Sequence, residues 1–353
     1  MVNGLKTYGN EEVNENFKGK KPVFICTIAT TDTSKIHGIS GAGASEELNM
    51  YTPAADVEIM KYGAPHCMSE IPETVSEGEA APTPSMLTKS CLELTSTDLV
   101  VVDAGCEIRP DLDCYTLSDS HGHNISTGHG VDNPKEIYNQ AVEIGKKLSE
   151  KYDYLVIGES IAAGTTTALG ILKALGYDAD NKVSGSMPYN PHDLKLETVN
   201  TGLEKAGITP GEVDVFDAIE AVGDPMMPAV AGMTIGSTVP VVLASGTQMS
   251  GICAVIKAIK EDFDFKRLTI ATTTYVAKDE TANIFDITGQ ISADITINVV
   301  DPKFESANHE GLLNYLEGFV KEGAGAGGAM FMSLMCGHTI DEIRDKIVET
   351  CSK

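Results

Sequence analysis

Six short apolar runs rich in β-branched residues punctuate this chain: Val23 to Ile28, Leu99 to Val102, Tyr154 to Ile157, Val239 to Leu243, Leu268 to Thr273 and Ile295 to Val300. Most have the length and continuous apolarity of strands buried on both faces of a parallel sheet. Stretches with helical periodicity lie between several of them, at Pro134 to Lys151, Thr166 to Leu175, Asp193 to Lys205 and Met249 to Glu261. Parallel neighbours need a crossover connection, so this alternation predicts βαβ units in an α/β fold. Two regions break the rhythm. Between Ala64 and Thr88 the prolines Pro65, Pro72, Pro82 and Pro84 predict a long loop or crossover without regular elements. Near the end, Glu310 to Val320, Ala329 to Cys336 and Ile340 to Cys351 read as helices flanking a glycine-rich break at Gly323 to Gly328.

Composition narrows the class of function. The 353 residues carry 51 acidic against 26 basic side chains, a formal net charge of -25. Such a field opposes attraction to nucleic-acid backbones and to anionic membranes, so neither is expected as a partner. Any phosphate must be held locally, by backbone N–H groups and a few placed cations. No apolar run reaches the length of a membrane span, and the start Met1-Val-Asn-Gly-Leu-Lys has no secretory pattern, which makes a cytoplasmic location the expectation. The eight cysteines form no CxxC pair and are expected as free thiols.

Four segments can carry chemistry. The first is Leu155-Val-Ile-Gly158-Glu159-Ser-Ile-Ala-Ala-Gly164-Thr165-Thr166-Thr167, an apolar strand, a turn of small residues and a helix start. Small residues let a ligand approach the backbone, and a helix N-terminus offers unpaired N–H groups to an anion. Thr165 replaces the lysine of a P-loop, which disfavours Walker-type NTPase chemistry. The alternative is an ordinary strand-to-helix turn with a threonine N-cap. The second segment, Lys321-Glu322-Gly323-Ala-Gly325-Ala-Gly-Gly328, contains GxGxxG but lacks the strand before it and the βαβ unit after it, so it is no dinucleotide fingerprint. It reads either as Glu322 desolvated beside a ligand, with a raised pKa suited to a general base, or as a surface glutamate next to close helix packing.

The third is Asp119-Ser-His121-Gly-His123-Asn-Ile-Ser-Thr-Gly-His129. Its spacing fits no standard metal site, and a hydrogen-bonded polar loop is the expected state, with no metal ligands assigned. The fourth, Pro240-Val-Val-Leu-Ala-Ser245-Gly246-Thr247-Gln248, is a strand ending in a small-residue turn. Ligands in open α/β sheets collect at the carboxyl ends of strands, so these side chains are candidates for polar contacts to a nucleotide. Asn190 to Lys195 and Gly223-Asp224-Pro225 look singly like structural turns.

Taken in order, Gly158-Glu159 with Gly164-Thr165-Thr166, then Lys195, Gly223-Asp224, Pro240 to Gly246 and the late Glu322-Gly-Ala-Gly325 resemble the nicotinate-nucleotide:dimethylbenzimidazole phosphoribosyltransferase family, and within it the divergent archaeal-type branch. The resemblance runs from about Tyr154 onward. It implies a doubly wound, mostly parallel Rossmann-like sheet, with a large nucleotide-binding domain over 90–310 and a smaller, mainly helical lobe from 1–89 plus 311–353. It implies a pentosyltransferase of cobamide lower-ligand synthesis, typically a homodimer, that moves the phosphoribosyl group of nicotinate mononucleotide to a benzimidazole-type or purine base. No cofactor is implied. Glu322 takes the role of general base, and Gly164, Thr165, Thr166 and Lys195 that of phosphate ligands. Glu159, Gly223, Asp224, Ser245, Gly246, Gly323 and Gly325 complete the nucleotide side, with Pro84, Ser85, Met86 and Gln248 as the base pocket. The chain departs from the family pattern in its Ile161-Ala-Ala-Gly164-Thr-Thr turn and at Phe319, where the family commonly has arginine; Lys321 is the candidate replacement cation. A nucleotide-binding sensor or assembly protein of the same fold is the competing reading, and a metal-dependent hydrolase centred on His121, His123 and His129 ranks behind it.

Overall fold

The eight-residue run Pro22–Ala29 is buried along its whole length, and the main sheet is built around it. The structure, a computed structural model, describes residues 2–42, 45–76 and 79–352. Its strands in chain order are β1 (Leu5–Tyr8), β2 (Pro22–Ala29), β3 (Glu73–Ser76), β4 (Glu79–Pro82) and β5 (Leu99–Gly105), then β6 (Tyr115–Thr116), β7 (Tyr154–Ser160), β8 (Val241–Ala244), β9 (Leu268–Thr273) and β10 (Thr296–Val300). The helices begin with α1 (Thr52–Tyr62), α2 (Pro84–Thr95), α3 (Pro134–Ser149), α4 (Gly164–Ala174), α5 (His192–Ala206), α6 (Val215–Val222) and α7 (Met226–Gly236). They continue with α8 (Gln248–Ile259), α9 (Thr274–Ala277), α10 (Ile284–Ile291), α11 (Glu310–Leu313), α12 (Ala326–Met335) and α13 (Ile340–Cys351).

The main sheet has the order β1-β10-β9-β8-β7-β2-β5-β6. All its pairings are parallel except β1 against β10. From β2 the chain winds outward through β5 and β6, returns to β7 on the other side of β2, and then proceeds to β8, β9 and β10. The winding direction therefore reverses between β2 and β7, which opens a crevice at their carboxyl ends.

Both faces of the sheet are covered, which explains why the strands are continuously apolar rather than alternating. Along β7, Leu155 and Ile157 face a core shared with α3, α4, α5, α6, α7, α8 and α10, while Tyr154 and Val156 face one shared with α1, α2, α12 and α13. The second layer is thus made of helices from the two ends of the chain. The N-terminal segment also supplies strands to the main sheet, β1 at its edge and β2 at its centre.

Two regional expectations are corrected. The proline-rich stretch from 64 to 88 holds regular elements: β3 and β4 form an antiparallel hairpin, and Pro84 occupies the first turn of α2, where its missing N–H costs nothing. The helix expected from Glu310 to Val320 stops at Leu313 and continues as turns, one of them at Gly318 in the left-handed region (φ 78°). The glycine run has a packing reason: a Cβ on Gly328 would lie 2.1 Å from the Ala244 Cβ, so only glycine lets α12 rest on the end of β8. That close approach carries Glu322 to the mouth of the sheet.

Candidate functional site

A cleft partly open to solvent lies at the crevice between β2 and β7. On its floor is Glu159, near the end of β7. Its Oε1 accepts hydrogen bonds from Ser245 Oγ at 2.6 Å and from Gln248 Nε2. Burial raises the Glu159 pKa to about 7, and the charges of Asp224 and Asp56 push the same way. Asp56 itself comes from α1 and is buried, accepting from Ser160 Oγ at 2.7 Å and Thr83 Oγ1 at 3.2 Å. Its pKa is also raised by burial.

Glu322 also lines the cleft, from the coil just before α12. Its carboxylate accepts from the N–H groups of Gly323 (3.1 Å) and Gly327 (3.1 Å) while the side chain stays partly exposed to the cleft. Burial dominates these bonds and holds its pKa at about 8, with the nearby Glu159 charge adding to the rise. Glu322 lines the cleft, so the reading of it as a surface glutamate fails. The glycine run does serve close helix packing, and that packing positions the carboxylate.

The third wall is the N-terminus of α4. Its N-cap residue is Ala163, held in the left-handed region (φ 66°) with no side-chain cap, so the threonine N-cap alternative also fails. Ala324, beside Glu322, is left-handed as well (φ 51°). Both alanines line the cleft. Left-handed backbone costs a non-glycine residue about 1–2 kcal/mol, and such residues gather at ligand sites. Gly164 and Thr165 line the cleft at this uncapped helix start, where backbone N–H groups lack intrahelical partners and suit an anion.

Behind Thr165 sits Lys195, fully buried, donating to Thr165 Oγ1 (3.1 Å), Ser184 O (2.7 Å) and Asn190 Oδ1 (2.9 Å). All three acceptors are neutral. Burial lowers its pKa to about 7, and the charge of Lys321 adds to that lowering. Because Lys195 occupies an acceptor lone pair of Thr165, the threonine O–H is free to point at a ligand. Lys321 lines the cleft directly and is paired with Asp279 at 2.7 Å.

Of the residues singled out in the sequence, Glu159, Gly164, Thr165, Gln248, Glu322, Gly323 and Pro84 line this one cleft. Lys195 and Ser245 stand one layer behind it. Thr166 is buried with its hydroxyl unpartnered. Asp224 is sealed inside, accepting from Thr167 Oγ1 (2.5 Å) and from the N–H of Met226 (3.0 Å). It locks the first turn of α4 to the start of α7, so neither it nor Gly223 lines the cleft. Gly246, Ser85 and Met86 do not line it either, and Gly325 packs on Gly158. The sequence reading missed Asp56, whose signal was an acid inside the otherwise small and apolar start of the Thr52–Tyr62 helix. It also missed the loop around Ser184 and Ser186, where Ser186 Oγ accepts from the N–H of Gly41 (3.0 Å).

The buried carboxyls give the unliganded chain a defined pH response. A carboxyl whose pKa is raised by folding takes up a proton on folding, so its stabilisation is complete below the unfolded value and is lost as the pH rises through the folded one. Asp224 at about 6, Glu159 at about 7 and Glu322 at about 8 all act in this sense. Lys195 is protonated in both states below pH 7 and does not oppose them, whereas His192, lowered by burial, contributes in the opposite direction. The melting temperature is expected to fall between about pH 5 and pH 7, with a shallower fall in Glu322→Gln. Calorimetry at the two pH values measures this, and a rising melting temperature would contradict it.

No family model matches the sequence. A UPF0284 protein of Methanothermobacter thermautotrophicus is 53% identical over 354 residues, covering 100% of this chain and 98% of that protein. Among solved structures, CobT from Thermus thermophilus matches with a TM-score of 0.61 at 15% identity, covering 96% of this chain and 89% of that one. The nicotinate-nucleotide-dimethylbenzimidazole phosphoribosyltransferase from the same organism matches at 0.60 and 14%, covering 96% and 88%. At that identity the two structures establish a shared fold and leave chemistry to be argued from the site. The full-length identity settles kinship, and the chain belongs to the UPF0284 family.

Proposed function

We propose that this cleft transfers the phosphoribosyl group of nicotinate mononucleotide to an aromatic base of the benzimidazole type, giving an α-ribotide of the kind used as the lower ligand of cobamides. The observation that carries the reading is the placement of Glu322, a carboxyl with a pKa of about 8, in the same cleft as the uncapped N-terminus of α4. One wall suits a phosphate and the other a proton to be removed.

In the reaction, the 5′-phosphate sits on the N–H groups of Gly164 and Thr165 with Lys195 and Lys321 behind and beside it. Glu322 takes the imidazole N–H proton of the incoming base, and the lone pair of the base's other ring nitrogen attacks C1′ of the ribose with inversion. The bond from C1′ to the pyridinium nitrogen breaks, and its electron pair leaves with nicotinate, neutralising the ring. The pyridinium charge of bound nucleotide favours ionised Glu322 and Glu159, which brings the base into its working form as substrate arrives. Holding both reactants together supplies the rest of the acceleration.

The test is to incubate purified protein with nicotinate mononucleotide and dimethylbenzimidazole, hydroxybenzimidazole or adenine, identifying products by mass. A ribotide from at least one base is expected. Nucleotide binding without any product would instead favour the sensor reading.

A further inference from the structure

The loop between β6 and α3 has no part in the chemistry above, yet it brings two imidazoles onto one carboxylate. His123 Nε2 lies 3.2 Å from Asp132 Oδ2, and His129 Nε2 lies 2.9 Å from Asp132 Oδ1. The three donor atoms fall within 4.8 Å of one another. Ligand atoms on a tetrahedral zinc, at about 2.0–2.1 Å from the metal, are separated by about 3.4 Å, so to match, the two His–Asp distances open by a few tenths of an ångström and the imidazoles, within 4.8 Å of each other, need only small adjustment.

The backbone fixes this arrangement without help from the side chains of the cluster. Thr31 Oγ1 donates to His123 O (2.9 Å), the His123 N–H to Gly130 O (2.8 Å), and the N–H groups of Gly130 and Val131 both donate to Glu220 O on α6. The Glu220 carboxylate also lies 3.8 Å from His129 Nδ1. With Nε2 on a metal, Nδ1 carries the proton and faces that carboxylate, the outer-sphere partner that ligating histidines usually have. Asp132 further lines an open polar groove with Asp119, Ser120 and Glu136, which gives a hydrated ion access and leaves room for a water ligand.

The neighbouring cluster provides a contrast. His121 lies 3.2 Å from Asp32, but Lys35 already pairs with Asp32 (2.7 Å) and Glu107 (3.2 Å), so an ammonium fills the cation position. Among the described residues no lysine or arginine pairs with Asp132 or Glu220.

We infer that His123, His129 and Asp132 form a binding site for one divalent transition-metal ion of the zinc class, with Glu220 as the outer-sphere partner of His129. Two imidazoles with one carboxylate select such an ion over magnesium or calcium. The bound ion ties the loop carrying His123 and His129 to α6.

Co²⁺ titration of chelator-stripped, full-length protein, followed by visible absorption, tests the assignment. One equivalent is expected to bind with the intense bands of a low-coordinate site and to be displaced by Zn²⁺. His123→Ala and His129→Ala, both on partly exposed side chains, are expected to weaken binding at least a hundredfold, and Glu220→Gln about ten- to a hundredfold. His121→Ala serves as the folded control and leaves the affinity unchanged. Absence of stoichiometric Co²⁺ binding by the wild type, or binding that survives the paired His123→Ala and His129→Ala substitutions, would overturn the site.

Discussion

Glu322→Gln is expected to slow phosphoribosyl transfer roughly 10²–10⁴-fold, the usual contribution of a positioned general base, while nicotinate mononucleotide binds within a few-fold of wild type. The amide keeps the shape of the carboxylate, and its oxygen can still accept from the N–H groups of Gly323 and Gly327, so the turn before α12 holds its form. What the amide cannot do is take a proton. A second signature accompanies the rate. With a carboxyl pKa of about 8 in the free protein, ionisation of the base gives wild-type kcat/KM an ascending limb with pH, against which the loss of the Lys195 charge sets a descending one. The variant loses the ascending limb. Steady-state kinetics over the pH range, with nucleotide binding measured calorimetrically, separates the two effects, and an unchanged rate would remove Glu322 from the mechanism.

Lys195→Met is expected to weaken nicotinate mononucleotide binding by roughly ten- to a hundredfold, through loss of the charge-assisted hydrogen bond, of about 1.5–3 kcal/mol, that orients the Thr165 hydroxyl. The side chain does not reach the cleft; it orients the Thr165 hydroxyl from behind and supplies a buried positive charge next to Lys321. It is therefore a positioning residue, and the loss should appear in KM for the nucleotide more than in kcat at saturation. Because its pKa is lowered to about 7, wild-type affinity should already decline as the pH rises above that value. The methionine variant should lack that decline. Calorimetric titration at two pH values reads both, and a variant with wild-type affinity would show that α4 and Lys321 hold the phosphate alone.

The fold was legible because its strands are buried on both faces. An interior parallel strand needs apolar side chains at every position, and runs such as Tyr154–Ile157 announce it without periodicity. The stretch from 64 to 88 was not, because proline marks boundaries as well as loops. Pro84 starts α2, and Pro82 ends a strand paired, among the described residues, with the other arm of its hairpin. The candidate site was legible where one segment holds both the chemistry and its geometry, as at Glu322 with its glycines and at the uncapped turn before α4. It was not legible where the environment comes from distant segments. Asp56 gains meaning only when Thr83 and Ser160 close around it. Asp224 has the chemistry of a ligand residue, but Thr167 occupies it. The histidine loop offered no standard spacing, since its third member is Asp132, brought back by the fold of the loop itself.

The central claim is group transfer within this cleft, and the most direct measurement counts nicotinate released against ribotide formed in one reaction with dimethylbenzimidazole. The account predicts one nicotinate for each ribotide and negligible release when the base is omitted. Nicotinate released at the same rate without base would mark a hydrolase, and no release with any base would contradict transfer altogether.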